Sequence, residues 1–364
     1  TNATLGSNTI FTYTITNNSI IGYTGPGGVG QASTMPLWLK AKDLEGLADG
    51  ANVQSWPDFS GNGNTLTQPD AGLSPIYKTG IANGFPVVRF NKAANRLRKT
   101  DFLNFPSTTI TTIMAHKIED ATPGTYLSFA SSNSNDDFRL SDDNIQFTIA
   151  NSTPVATLTS YSDDKFNVNV SSWRSSSGEV SFRKNLAGGV LNFVVNDVKN
   201  RSISPIGSLA LGARQGDIDA SYVSGSFHDG DLAEVIIFNR YLNRSQNIII
   251  GNYLSAKYNI LLEGDNAYDE DENGNFDYDV AGIGRVSASD FHLDAQGTGI
   301  VRVNNPQDLG NNEFFHWGHN NMAMDLTSTN VSMGVSIRLA RTWRVSERNR
   351  SSMTTFVDVG AVDM

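Results

Sequence analysis

The sequence predicts an all-β fold, an antiparallel jelly-roll sandwich closed by one helix and followed by a smaller β-sandwich-like module. Short runs of alternating apolar and polar residues recur from Leu37 onward, with turn residues between them. In residues 166–170 the period of two predicts a half-buried antiparallel strand with Asn167 and Asn169 facing outward. Charged residues make up only 18% of the 364 residues, against about 25% in typical domains, and this favours strands and loops over long helices.

One helix is predicted over residues 243–258. Asn243 is placed to cap the first turn while the side chain of Gln246 reaches back to it. The following apolar residues repeat at the spacing of one helix face, and they are Ile250, Tyr253, Leu254 and Tyr258. A helix that closes a run of strands marks the end of a domain, so we expect a boundary near Leu262.

Three regions follow from this boundary and from a glycine- and proline-rich stretch at residues 25–30. Residues 1–34 are predicted to form a β-rich lead-in and a Gly/Pro linker. Residues 35–262 form the jelly roll, and residues 263–364 form a second β module that opens with an acidic loop.

The composition excludes several classes of protein. The chain has no cysteine, which excludes a disulfide framework, a thiolate zinc site and a cysteine nucleophile. The formal net charge of −10 argues against a nucleic-acid partner, because binding to the phosphate backbone requires clustered Lys and Arg. No apolar run approaches the roughly 18 residues that a membrane helix needs, so we expect no membrane insertion.

The acidic segment at residues 263–279 holds eight acidic residues and no basic one. Oxygen-bearing residues alternate before and after Gly274, as in a calcium-binding loop, and they are Asp269, Asp271, Asn273, Asn275 and Asp277. Val280 stands where an EF-hand carries its bidentate acid, so we expect a calcium loop inside a β protein and no EF-hand. The alternative is a solvated acidic linker, which could pair with the arginines of residues 338–350.

Motifs for catalysis are missing from the sequence. It has no G-x-S-x-G nucleophile elbow, no H-E-x-x-H zinc motif and no phosphate-binding P-loop. His316 and His319 lie three residues apart and are expected to face different ways on a strand. These observations predict that the chain is not an enzyme.

Four ordered segments carry a resemblance to a known family. Residues 37–41, 56–64, 83–90 and 230–240 resemble the laminin-G-like, concanavalin A-like jelly roll found in large secreted surface and adhesin proteins of gliding, type-IX-secreting bacteria. In those proteins, a motif like residues 278–285 opens a companion C-terminal β module. The resemblance implies an extracellular protein, secreted or at the cell surface, that forms part of a larger multidomain chain.

The same resemblance implies a second calcium position. In related jelly rolls a loop like residues 58–64 holds calcium through an acid equivalent to Asp58, often together with an acid from the strand that matches residues 232–235. Here that strand offers Asp231 and Glu234, while Ala233 stands where many relatives carry an acid.

The function expected from these features is a noncatalytic, calcium-stabilised adhesion module that binds a glycan or another surface ligand. The alternatives are an accessory or catalytic part of a polysaccharide-degrading glycoside hydrolase, and a structural spacer. Aromatic side chains bind sugars by stacking on the ring, and the candidates are Trp56, Trp173, Tyr161 and Tyr222. Each is expected to belong to the core in preference to a ligand site.

Removal of divalent ions is expected to lower the melting temperature if an ion orders the acidic segment. A ligand that binds only the folded state stabilises it by about 2.7 kcal/mol at a hundredfold excess over Kd. Melting curves measured with and without chelator test this, and Asp271→Ala should reproduce the loss. Identical curves in calcium and in chelator would contradict it.

Overall fold

The structure is a computed structural model that describes residues 23–119, 124–132, 134–141, 147–150, 152, 164–186, 191–218, 221–268, 274–331, 333–334, 336–348 and 356–359. The strand expected at residues 10–15 lies outside the described residues.

Seventeen strands form the first unit, and in chain order they are β1 (Leu37–Lys40), β2 (Ser55–Trp56), β3 (Leu66–Thr67), β4 (Ile76–Ala82), β5 (Phe85–Asn91), β6 (Leu97–Leu103), β7 (Thr109–Ile118), β8 (Thr125–Ser131), β9 (Ser134–Ser141), β10 (Phe147–Ile149), β11 (Asn167–Arg174), β12 (Glu179–Lys184), β13 (Leu191–Val194), β14 (Ile206–Leu211), β15 (Ala213–Gln215), β16 (Tyr222–Phe227) and β17 (Asp229–Phe238). Short 3-10 turns occur at Pro26–Gly28, Ala32–Thr34, Ala41–Asp43, Ala71–Leu73 and Asn196–Val198.

These strands form two sheets that confirm the predicted jelly-roll sandwich. The first sheet has the order β13-β12-β11-β7-β17-β5-β4, and β1 also pairs with β17. The second sheet has the order β10-β9-β8-β14-β6-β3-β2, extended by β15 and β16. The pairing is antiparallel except for one parallel contact between β16 and β8.

Smaller sheets form the second unit. Its strands are β18 (Tyr278–Ser287), β19 (Asp290–His292), β20 (Asp294–Ala295), β21 (Val301–Asn304), β22 (Glu313–His319), β23 (Leu326–Thr327), β24 (Arg338–Leu339), β25 (Trp343–Arg348) and β26 (Phe356–Val359). The sheet next to the jelly roll has the order β19-β18-β22-β25, and it packs on the helix through β18.

The predicted helix is confirmed as α1 (Arg244–Tyr258). Asn243 caps it by accepting a hydrogen bond from the backbone N–H of Gln246, whose side chain accepts one in return. Thirteen of its fifteen residues are buried, so it is covered on all sides and not along one stripe. Asn259 ends it in the left-handed conformation, with φ 51°. Among the described residues, no helix is long and apolar enough to cross a membrane.

Both faces of the first sheet are buried. One face packs on the second sheet through residues such as Trp56, Trp173 and Phe129. The other face packs on α1 and on the start of the second unit, in a cluster that includes Phe238, Ile249 and residues as far along the chain as Phe314. The run at the end of β17 therefore alternates between two cores, with Val235 and Ile237 in one and Ile236 and Phe238 in the other.

Burial on both sides corrects the expectation for β11. Its antiparallel pairing is confirmed, but it is not half-exposed, since Asn167 and Asn169 are only 3% and 4% exposed. Val168 and Val170 pack towards α1, and the two amides point the opposite way. The side-chain nitrogen of Asn169 contacts His116, and Asn167 accepts a hydrogen bond from Asn185 at 2.8 Å. Within the described residues, Asn169 Oδ1 accepts no hydrogen bond.

The two units meet in a packed joint. Asn252 of α1 accepts hydrogen bonds from the backbone N–H groups of Ala267 and Tyr268 at 2.7 and 2.9 Å. Asp265 of the acidic segment lies 3.0 Å from Arg244 and 3.7 Å from Arg348, so part of the acidic charge is paired within the chain. Within the predicted Gly/Pro linker, the turn Pro26–Gly28 is buried, and Gly27 lies against Ile249.

Ile249→Ala is expected to destabilise the whole chain by about 2–5 kcal/mol. The Ile249 side chain projects from α1 and is fully buried against the first sheet and the Pro26–Gly28 turn. Leu261→Ala, which removes a side chain that is 80% exposed, serves as the control and should cost less than about 0.5 kcal/mol. Denaturant unfolding measures both. Equal losses for the two variants would contradict the packed joint.

Candidate functional site

A buried carboxylate connects β17 to α1. Glu234 is fully buried, and it accepts hydrogen bonds from Trp38 Nε1 at 2.6 Å, Lys257 Nζ at 2.6 Å, Tyr258 OH at 2.9 Å and Tyr253 OH at 3.0 Å. We call these five residues the Glu234 network. Three of its donors come from α1, so the network fixes the position of the helix on the sheet.

Burial and pairing act in opposite directions on these charges. Burial alone would raise the pKa of Glu234, but the Lys257 charge and the hydrogen bonds outweigh it, and the pKa lies below its usual value. Burial lowers the pKa of Lys257 to about 8, and the attraction of Glu234 partly offsets this. At neutral pH both groups are therefore charged. Removal of one charge would leave the other buried without its partner.

The two acids that the resemblance implied as calcium ligands on β17 have other partners. Asp231 forms a two-pronged pair with Arg89, with both distances at 2.7 Å, and Glu234 lies in its network. Asp58 closes its own loop, because its carboxylate accepts hydrogen bonds from the backbone N–H groups of Trp38, Ser60 and Asn64 at 2.9–3.1 Å. The geometry of this loop is thus maintained by protein donors.

The predicted acidic loop is described in part. Asp269, Asp271 and Asn273 lie outside the described residues, whereas Asn275 and Asp277 lie just before β18. Asn275 accepts a hydrogen bond from the backbone N–H of Asp277 at 3.5 Å. In the ranges given above, no three His, Asp or Glu side chains converge to hold a metal ion. The calcium loop stays a prediction.

The two histidines of β22 lie in different environments. His316 is fully buried between Phe314, Tyr268 and the backbone at Gly282. His319 contacts the Asp279 carboxylate through Nε2 at 2.8 Å. Burial acts to raise the pKa of Asp279, but its hydrogen bonds with His319 and Thr298 outweigh this and hold it well below the usual value.

Two of the four aromatic candidates are core residues. Trp56 and Trp173 are fully buried between the two sheets, so neither can stack on a sugar. Tyr161 lies outside the described residues. Tyr222 is half-buried, with the Arg96 guanidinium 4.3 Å above its ring.

An open cleft of about 460 Å³ lies where α1 ends. It is lined by the β4–β5 turn, the start of β11, the residue after β12 and the chain that follows α1. We name it the amide cleft for its four asparagines, Asn83, Asn167, Asn185 and Asn259.

Local sequence fixes these amides in place. Asn83 and Gly84 both have positive φ, at 49° and 78°, as the tight two-residue turn of a hairpin requires. The Asn83 side chain donates to the carbonyl of Lys257 at 3.2 Å, which holds the turn against the end of α1. Asn185 donates to Asn167 at 2.8 Å and accepts from the backbone N–H of Val168 at 2.8 Å.

Apolar surface lies beside these amides. The ring of Phe166 is half-buried, and Leu261 and Ile81 are 80% and 37% exposed. Amide groups next to a half-buried ring and exposed aliphatic side chains match the two needs of sugar binding, which are partners for hydroxyls and a surface for the C–H face. No local pattern in the sequence indicates this cleft, because its walls come from four separate parts of the chain.

Comparison with known proteins gives one match to a domain family. Residues 248–363 match the family described as "Domain of unknown function (DUF8202)". This match begins inside α1 and covers the second unit. No curated protein matches the chain.

Several solved structures resemble parts of the chain. A heptameric SAP-like pentraxin from Limulus polyphemus has 17% identity and a TM-score of 0.36, covering 46% of this chain and 78% of that one. A Trypanosoma rangeli sialidase in complex with sialic acid has 17% identity and a TM-score of 0.35, covering 66% and 36%. An arabinofuranosidase complexed with arabinofuranosyl-alpha-1,2-xylobiose has 12% identity and a TM-score of 0.42, covering 67% and 57%. The chain therefore spans 36% of the length of the sialidase and 57% of the length of the arabinofuranosidase.

One prediction from the sequence is wrong. The lack of familiar motifs led us to expect no enzyme, yet a sialidase and an arabinofuranosidase are among the structures that resemble this chain. Glycoside hydrolysis needs only two suitably spaced carboxylates, and such a pair leaves no short motif in a sequence. The missing motifs were therefore insufficient grounds for that exclusion.

Lys257→Met is expected to cost about 3–5 kcal/mol of stability, because it leaves the Glu234 carboxylate buried without its counter-charge. The double variant Glu234→Gln/Lys257→Met should recover part of that loss. Lys78→Met serves as the control, since it breaks a pair with Asp49 at 2.6 Å that is open to solvent and therefore contributes little to stability. Denaturant unfolding of the wild type and the three variants measures these losses, and a Lys257 loss no larger than the Lys78 loss would contradict the assignment.

His316→Leu is expected to stabilise the chain increasingly as the pH falls below 6.5. Burial lowers the pKa of His316 to about 3, so between pH 6.5 and 3 the unfolded state binds a proton that the folded state does not. This costs the wild type about 1.4 kcal/mol per pH unit, or about 2 kcal/mol by pH 5. Unfolding free energies at pH 7.5 and pH 5 test it, and parallel pH profiles for the two proteins would refute it.

Proposed function

We propose that this chain is an extracellular carbohydrate-recognition module of a larger surface protein, and that the amide cleft is its glycan site. The observation that carries the proposal is the juxtaposition of four asparagines with Phe166 and Leu261 in one open cleft. The cleft size falls within the range of about 300–1,000 Å³ typical of small-ligand sites.

Preorganisation supports the same proposal. Asn167 and Asn185 are nearly buried and hydrogen-bonded to each other, so they lose little side-chain entropy when a ligand binds. The sialidase structure contains sialic acid and the arabinofuranosidase structure contains arabinofuranosyl-alpha-1,2-xylobiose, and both ligands belong to the class proposed here. Adhesion at a cell surface and stabilisation by calcium belong to the proposal as extensions made from the sequence.

Phe166→Ala is expected to weaken binding to a neutral oligosaccharide about tenfold, since loss of a stacking ring costs about 0.5–1.5 kcal/mol beyond its lost contact area. A glycan array run with wild-type protein identifies the oligosaccharide, and calorimetry then measures its Kd.

Phe59→Ala is the matched control, because Phe59 is 51% exposed and lies outside the cleft. Equal weakening by both variants, or no glycan bound by the wild type, would contradict the proposal. Release of reducing ends from the bound glycan, above a heat-inactivated control, would favour the glycoside hydrolase alternative.

A further inference from the structure

A second cavity lies at the opposite end of α1 from the amide cleft. It measures about 330 Å³ and is lined by parts of β11, β12, α1, β19 and the segment that leads into α1. We call it the arginine pocket after Arg174, Arg183 and Arg244, which line it together with Tyr241, Asn247 and Asp290. It shares no residue with the amide cleft or with the Glu234 network.

The acids around this pocket already have partners. Asp290 accepts hydrogen bonds from the backbone N–H groups of Arg244 and Ser245 at 3.0 and 2.8 Å, which caps the helix. Asp265 pairs with the Arg244 guanidinium at 3.0 Å. Glu179 accepts a hydrogen bond from the Tyr241 hydroxyl at 3.0 Å and lies 4.0 Å from Arg174.

None of these acids forms an ion pair with Arg183. In the part of the chain that the structure describes, no carboxylate lies within 4.0 Å of its guanidinium, and its side chain is half-buried. Burial lowers the pKa of Arg183 and the charge of Arg244 adds to this, while the charges of Asp265 and Asp290 offset it only in part. An anion in the pocket would relieve both costs. A guanidinium also presents paired donors that match a carboxylate.

Asn247 adds a second requirement for the ligand. Its side chain is only 8% exposed, and its amide nitrogen donates to the carbonyl of Leu242 at 3.3 Å. Within the described ranges, its Oδ1 accepts no hydrogen bond. A buried acceptor without a donor costs about 1–3 kcal/mol, so this oxygen favours a ligand that brings a hydrogen-bond donor, such as a hydroxyl.

We propose that the arginine pocket binds a sugar acid, a ring that carries a carboxylate for Arg183 and hydroxyl groups for Asn247. The Arg174 guanidinium is stacked 4.2 Å from the centre of the Tyr241 ring, which holds a second cation at the pocket wall. An acidic peptide would satisfy the arginines, and only its backbone N–H groups could donate to Asn247. A neutral sugar would satisfy Asn247 but not Arg183.

Calorimetric titration of the full chain tests this with three probes, a galacturonic acid tetramer, a galactose tetramer and a tetra-aspartate peptide. We expect the uronic acid tetramer to bind at least tenfold more tightly than the other two. Arg183→Gln should weaken its binding about tenfold or more, and Arg183→Lys should weaken it less, because the charge stays while the paired donors are lost.

Lys99→Gln is the matched control, since it removes one positive charge from the other sheet, where Lys99 pairs with Asp101 at 3.0 Å. Melting curves establish that each variant is folded, and Arg183→Lys carries the test if Arg183→Gln does not fold. No binding of the uronic acid tetramer, equal binding of tetra-aspartate or of the galactose tetramer, or equal weakening by Lys99→Gln would each overturn the proposal.

Discussion

The position of α1 on the first sheet, fixed by the buried Glu234–Lys257 pair, is the constraint on which the rest of the structure depends. The sheet presents an apolar outer face, including Ile236 and Phe238, that would be exposed without the helix. The helix is buried on nearly all sides. The sheet covers one side of it, and the second unit covers helix surface that the sheet leaves open. Sheet, helix and second unit therefore stabilise one another.

Both candidate binding sites follow from this arrangement. A fifteen-residue helix is about 22 Å long, and each of its ends leaves a gap against the sheet edge and the adjoining loops. The gap after Tyr258 is the amide cleft, and the gap around Asn243 is the arginine pocket. The two gaps differ in chemistry because β11 and β12 place amides beside one helix end and arginines beside the other.

Local patterns in the sequence were sufficient to predict the strands and the capped helix, because both depend on nearby residues. The jelly-roll arrangement was predicted from the many strands without intervening helices and from the resemblance of four ordered segments. The alternation in β11 separated its two faces correctly but could not show that both are covered. Lys257 was a missed signal, since a lysine on an apolar helix face is rarely buried unless it is paired with an acid. No local pattern connects Arg174, Arg183 and Arg244, which come together only through the sheet register and the position of α1.

Native-state hydrogen exchange of the α1 amides tests this dependence most directly. If the helix is fixed by Glu234 and covered by the second unit, its central amides, such as that of Leu254, should exchange only through global unfolding. Their opening free energy should then equal that of the central strands β7 and β17. Exchange from α1 at a much lower opening free energy, with the strands still protected, would show that the helix is a peripheral element and would contradict the account.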